Sequence, residues 1–151
     1  MYWQKLKMDS LEKLATWANP LIEKLSPNER TRLLKQLALL LRRLNQQRIT
    51  KQVTPNGEKF TPRRNVTNKT PLFAKLKKNR HIKARSTPHS ATVSFIGRAG
   101  FIASVHHHGL EDYIEKPGPK IKYPTRELLG FSPQDEAEIL NFFTRQLSPE
   151  R

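Results

Sequence analysis

The sequence predicts an α+β fold: a helical N-terminal half, a projecting basic arm, and a small, mostly antiparallel sheet with a packed C-terminal helix. Three observations lead there. Apolar residues recur at helical spacing from Leu11 to Leu44. That pattern disappears between Thr50 and Thr70, and strand-like stretches follow it between His81 and Tyr123. A second capped helical pattern closes the chain after Ser132. The expected organisation is N-terminal helices over residues 1–49, a basic arm or long hairpin over 50–70, and an α+β core with its terminal helix over 71–151.

Leu11, Leu14, Ala15, Ala18, Leu21, Ile22 and Leu25 share one helical face. Pro20 has no amide hydrogen to donate, so this stretch is expected to divide into two short helices, with Asn19 capping the second. Ser26-Pro27-Asn28-Glu29 is a strong helix start. The serine hydroxyl accepts from an orphan amide, proline stands at the permissive first position, and Glu29 reaches back. The helix it opens should run to about Ile49, with Leu33, Leu37, Leu41 and Leu44 as core. Within the arm, Thr54-Pro55-Asn56-Gly57 reads as a turn, with Asn56-Gly57 near the tip, and Pro62-Arg63-Arg64 as an extended basic tract.

Thr70-Pro71 is expected to open a short helix through Leu72, Phe73 and Leu76. His81–Arg85 and Ala91–Ile96 read as strands. Gly97 to Gly100 then has the length of a hairpin turn, so Phe101 to His107 is expected as the return strand. Ile121 to Tyr123 adds a short strand ended by Pro124. Ser132-Pro133-Gln134-Asp135 repeats the earlier cap, before a helix whose apolar face is Ala137, Ile139, Leu140, Phe143 and Leu147.

The chain of 151 residues carries a formal charge of +15, and the distribution of that charge is more informative than its size. From Ser26 to Arg85 there are 17 Lys/Arg against two acids, Glu29 and Glu58, while the rest of the chain is balanced. Such a block implies a polyanion, or a partner subunit with an acidic face. Phe60 and Phe73 are the only aromatics in the block, too few for a platform on which bases stack. The competing reading is a solvated basic face.

The chemistry-bearing residues do not assemble a catalytic set, and no enzyme activity is expected. Cysteine is absent, which removes disulfides, thiolate metal sites and a cysteine nucleophile. No G-x-S-x-G elbow and no Gly-rich phosphate loop occurs. His106, His107 and His108 invite a metal reading, but a zinc site needs at least three converging protein ligands, and His81 and His89 lie in another element. No metal and no cofactor is expected. The longest uninterrupted apolar run, Leu37 to Leu41, is too short to span a membrane. The segment MYWQKLKMDS lacks the apolar core of a signal peptide. A soluble protein made and used in a cytosol, or assembled there into something larger, is expected.

The stretch LSPNERTRLLKQLALLLRRLNQQRI, the Pro-Asn-Gly turn and the Pro-Arg-Arg tract are followed by LFAKL, VSFIGRAGFIASVHHHGL and YPTRELLGFSPQD. In this order and spacing the chain resembles the phage virion morphogenesis family, the tail completion proteins of Mu-type contractile-tailed phages and prophages. The resemblance covers roughly residues 11 to 147. It departs from the family at the triple histidine, where a single His with the Gly-Leu is the pattern.

The resemblance implies a structural virion protein without catalytic residues. It would act in tail completion and head–tail joining, as a ring at the head-proximal end of the tail. Its implied partners are itself, as a hexameric ring, together with tail tube, sheath and head–tail connector proteins, and genomic DNA in the lumen. Its place would be the virion neck and tail, assembled in the cytoplasm of the bacterial host, with no membrane. The alternative is a stand-alone nucleic-acid-binding protein using residues 26–85. Arg42, Arg43, Arg48, Lys51, Arg63 and Arg64 are the expected anion- or partner-facing surface. His106, Gly109, Tyr123, Arg126, Leu128, Leu129 and Gly130 are the expected structural motif, holding the final helix against the sheet.

Overall fold

The computed structural model describes residues 8–65 and 67–148, with side chains described from residue 12 on. Four helices and two small antiparallel sheets make an α+β fold.

Helix α1 (Met8–Glu23) is continuous, and the division expected at Pro20 does not occur. Proline removes one hydrogen bond, and here it does so in the last turn. Ala18 before it is buried and Ile22 after it packs on the same apolar cluster, so a shared face holds both sides in register. Helix α2 (Pro27–Thr50) begins at a complete capping box: Ser26 Oγ accepts from the Glu29 amide, and Glu29 accepts from the Ser26 amide. Leu33, Leu37, Leu41 and Leu44 are all buried.

The segment after α2 turns tightly. Thr54 N–H donates to Glu58 O, and Gly57 N–H donates to Thr54 O, with Val53 bridged to Lys59. The first half of the stretch expected to project is tied to the body, because Pro55 and Phe60 are buried there. Arg64, Asn65 and residues 67–70 are exposed. The short helix expected after Thr70 is instead a series of turns, and Phe73 with φ of 63° lies outside helical geometry.

Strand β1 (Ile82–Thr87) and strand β2 (Ser90–Phe95) pair antiparallel, Ile82 opposite Phe95 and Thr87 opposite Ser90. The hairpin turn therefore lies at Pro88-His89. Residues Gly97 to His108, expected as a turn and a return strand, form helix α3. Its buried residues Ala99 and Ala103 are one helical turn apart. Gly100 brings the helix against β2, where an added Cβ would lie 3.0 Å from Phe95 O. Two three-residue strands follow, β3 (Glu111–Tyr113) and β4 (Lys120–Lys122), paired antiparallel.

Helix α4 (Pro133–Leu147) repeats the capping box with Ser132 and Asp135. It packs on α1 and α2, not on the sheet as expected. Its buried face is Ile139, Phe142 and Phe143, while Ala137 and Leu140 are exposed. The main core thus joins Ala18, the α2 leucines and these three side chains. The β1–β2 hairpin lies along α2, with Ala91 and Val93 reaching the edge of that core. A second cluster gathers Ile49, Phe60, Ala103 and Leu128 beyond the end of α2. Among the described residues, no helix is long and apolar enough to cross a membrane.

Candidate functional site

Two buried arginines organise the polar interior. Arg48 belongs to the set expected on the surface, but it is 6% exposed. It forms an ion pair with Asp135, and donates to Asn45 Oδ1 at 2.8 Å and Gly130 O at 3.0 Å. Asn45 Oδ1 also accepts from Gly130 N–H, and Asp135 accepts from the Ser132 amide. One network therefore clamps the late part of α2 to the loop that caps α4. The carboxylate that caps α4 is also the counter-ion of α2. Asn45 was not singled out in the sequence, and Asp135 only as part of the α4 cap, not as the partner of Arg48. The available signal was Asn45 and Arg48 continuing the buried spacing of Leu41 and Leu44, which is a polar pair on a core-facing stripe.

Arg126 is 4% exposed and has no carboxylate among its hydrogen-bond partners. Its guanidinium donates to Thr61 O at 2.7 Å, to Pro62 O at 3.1 Å and to His106 Nδ1 at 3.2 Å. Its own amide donates to His106 O at 2.7 Å. The arginine thus ties the basic tract to the end of α3 through carbonyl groups. Burial lowers its pKa, nearby Arg63 adds to that, and Tyr123 opposes it. Phe60, Phe73, His106 and Tyr123 form a row of edge-to-face rings beside it, with centroids 5.4, 5.0 and 4.9 Å apart.

The histidines stand on the last turn of α3, not at a strand end. His106 Nδ1 accepts from Arg126, since a guanidinium can only donate. His107 Nδ1 accepts from Leu128 N–H at 3.1 Å. Both rings thus need an unprotonated Nδ1. Both pKa values lie below the ordinary 6.5: burial is the larger cause in each, helped by Arg126 at His106 and by His108 at His107, where Glu127 opposes it. A group held neutral in the fold but free to protonate in the unfolded chain makes stability fall with acidification. Stability from these rings should be complete above about pH 6.5 and decline as pH drops below that value. Urea unfolding at a series of pH values between about 7.5 and 5 checks this. A variant with His106→Gln and His107→Gln should flatten the profile, and an unchanged slope would count against the assignment.

Gly109 ends α3 in the left-handed region, φ 63°, and its amide returns to the helix carbonyls. An added Cβ would lie 2.5 Å from Thr125 Oγ1 and 3.1 Å from Tyr123 O, so the 123–131 segment crosses there because the residue is glycine. Leu128 is buried in the second cluster, Leu129 and Gly130 are half-buried, and Tyr123 is half-buried among the rings.

The other members of the expected basic set lie on α2 and the segment after it. Arg43, Lys51 and Arg64 are exposed, and Arg42 and Arg63 half-exposed. Arg63 donates to Thr70 O and Pro71 O, closing residues 63–71 on themselves. Among the described residues, no group of three or more His, Asp or Glu is placed to hold a metal ion. An open, mainly apolar cleft of about 1490 Å³ lies between α1, β2, α3 and residues 125–131. Ser104 and His107 both line it, yet His107 Nδ1 is committed to Leu128 N–H, and no hydrogen bond joins the two side chains.

The chain is similar to a known protein. Tail completion protein S of Escherichia phage P2 is 42% identical over 123 residues, covering 76% of this chain and 82% of its own length. No solved structure matches the chain. The phage virion morphogenesis family matches residues 9–148, nearly the whole sequence, and the chain belongs to that family.

Proposed function

We propose that this chain is a structural virion protein that completes the phage tail and joins it to the head. The observation that carries the reading is its 42% identity to the P2 protein named for tail completion, over 82% of that protein. In this reading it works as a ring of its own copies, with tail tube, sheath and connector proteins as its counterparts at the head-proximal end. A ring needs head-to-tail contacts between two different patches of each subunit. Arg43, Lys51 and Arg64, with half-exposed Arg42 and Arg63, form the face turned to an anion or a partner. The clamps at Arg48 and Arg126 keep α4 and the basic tract fixed to the body behind that face.

The test is a phage lysate made without this protein. Electron microscopy should show heads and tails unjoined and infectivity lost, and adding the purified protein should restore both. Joined, infectious particles in its absence would overturn the reading. They would leave the stand-alone nucleic-acid-binding protein, which the segregated basic block of residues 26–85 favours.

A further inference from the structure

We infer that the face formed by the second half of α2 and the turn at residues 75–80 binds the phosphate backbone of duplex DNA. This deepens the basic surface assigned above and rests on that reading of it. Gln46 donates to Lys77 O and to Asn79 Oδ1, both at 2.7 Å, and Lys77 Nζ donates to Thr50 Oγ1 at 2.9 Å. These bonds dock the turn on the last two turns of α2. They place Lys77, Lys78 and Arg80 beside Arg42, Arg43 and Lys51, which the sequence separates by some thirty residues.

Arg43, Lys51, Lys78 and Arg80 are exposed. Among the described residues no ion pair joins any of the six cations to a carboxylate. The C-terminal end of a helix favours a cation beside it, which accounts for Lys51 and Lys77. It does not account for Arg42, Arg43, Lys78 and Arg80. Six like charges gathered without acids repel one another, and a polyanion relieves that repulsion.

The chemistry of the face selects the polyanion. Protein interfaces are rich in aromatics and poor in lysine. Here the cations are interspersed with Gln46, Gln47 and Asn79; no Phe, Tyr or Trp stands among them, and the neighbouring His81 ring is held edge-on by Arg80 Nε at 3.0 Å. The lack of those rings also removes the stacking surface that single strands use. What remains is a set of long cationic arms flanking a helix of 24 residues. Its cationic part, from Arg42 to the C-cap Lys51, spans about 14 Å at 1.5 Å per residue, the length of about four phosphates along one strand. Such a surface follows phosphates and does not read sequence.

The experiment uses the full chain, a labelled duplex of about 30 base pairs in two unrelated sequences, and a salt titration. Both duplexes should bind alike, with log K falling linearly against log salt at a slope of about −5. The triple variant R43Q/K51Q/K78Q should lower that slope by about 3 and weaken binding by about 30-fold or more at about 0.1 M salt. The control K13Q/K24Q/K122Q removes the same charge elsewhere and should change affinity by less than about 3-fold. Thermal melting checks that each variant folds. Should the triple not fold, the single variants each lower the slope by about 1. Equal losses in the two triples, no duplex binding by the parent chain, tighter binding to a single strand, or preference for polyglutamate over duplex would each overturn the proposal. Particle joining in the lysate is read separately, so a failure here leaves the tail-completion reading standing.

Discussion

Replacing Arg48 by methionine should cost about 3–5 kcal/mol of folding stability. The change leaves the Asp135 carboxylate buried without its counter-ion, and strips donors from Asn45 Oδ1 and Gly130 O. A buried charge that loses its partner is far more costly than an exposed one, because water cannot take the partner's place. With urea dependence of about 1–3 kcal/mol per molar, the unfolding midpoint should fall by roughly 2 M. The double variant R48M/D135L removes both charges and should recover much of the loss. A midpoint for Arg48→Met within experimental error of the parent chain would show that the clamp contributes nothing. A double variant no better than the single would show that packing, not the unpaired carboxylate, is responsible.

Leu128→Ala should destabilise the fold by about 2–5 kcal/mol. Leu128 is 1% exposed, at the centre of the cluster with Ile49, Phe60 and Ala103. Those four side chains come from α2, the turn that follows it, α3 and residues 123–131, the strap that leads into α4, so a cavity there loosens every connection between them. Its neighbour Leu129 is half-buried, and Leu129→Ala should cost less than about 1.5 kcal/mol. Thermal unfolding of the two variants side by side makes the comparison. Equal shifts would mean that the strap is held by its hydrogen bonds to Asn45, His106 and His107 and not by this side chain.

The helices at both ends were legible because their signals are local. Ser26 and Ser132, each followed by proline and by an acid three residues after the serine, write their caps within four residues. The leucine stripe of α2 states its own period. Over Gly97 to His108 two local signals agree with each other and disagree with the packing, which makes a helix where a turn and strand are expected. Gly-Arg-Ala-Gly has hairpin length, and Phe101, Ile102 and Val105 favour extended backbone. The true partner of Ala91–Ile96 lay before it in the chain, at β1, and once that pairing formed, the residues after Phe95 were free to coil. Gly100 and Ala103 then let the helix approach β2 closely, a steric fact with no period of its own.

At Pro20 a single local signal is overruled by packing. A proline rule speaks of one lost hydrogen bond, and the shared core of Ala18 and Ile22 outweighs it. Arg48 shows the same limit at the candidate site. Between Arg43 and Lys51 it looks like one more surface cation, and only the arrival of Asp135, 87 residues later, makes its burial affordable.

By itself the sequence determined the fold class, the capped helices, the segregation of positive charge and the order of motifs that marks the family. Each of these is carried by residues close in the chain, or by a simple sum of charges. Tertiary structure alone decided which arginines lie inside, where α4 packs, and that Lys77, Lys78 and Arg80 stand beside Arg42, Arg43 and Lys51. Those outcomes depend on pairings across tens of residues, where burial and hydrogen-bond satisfaction choose among arrangements that local propensity leaves equal.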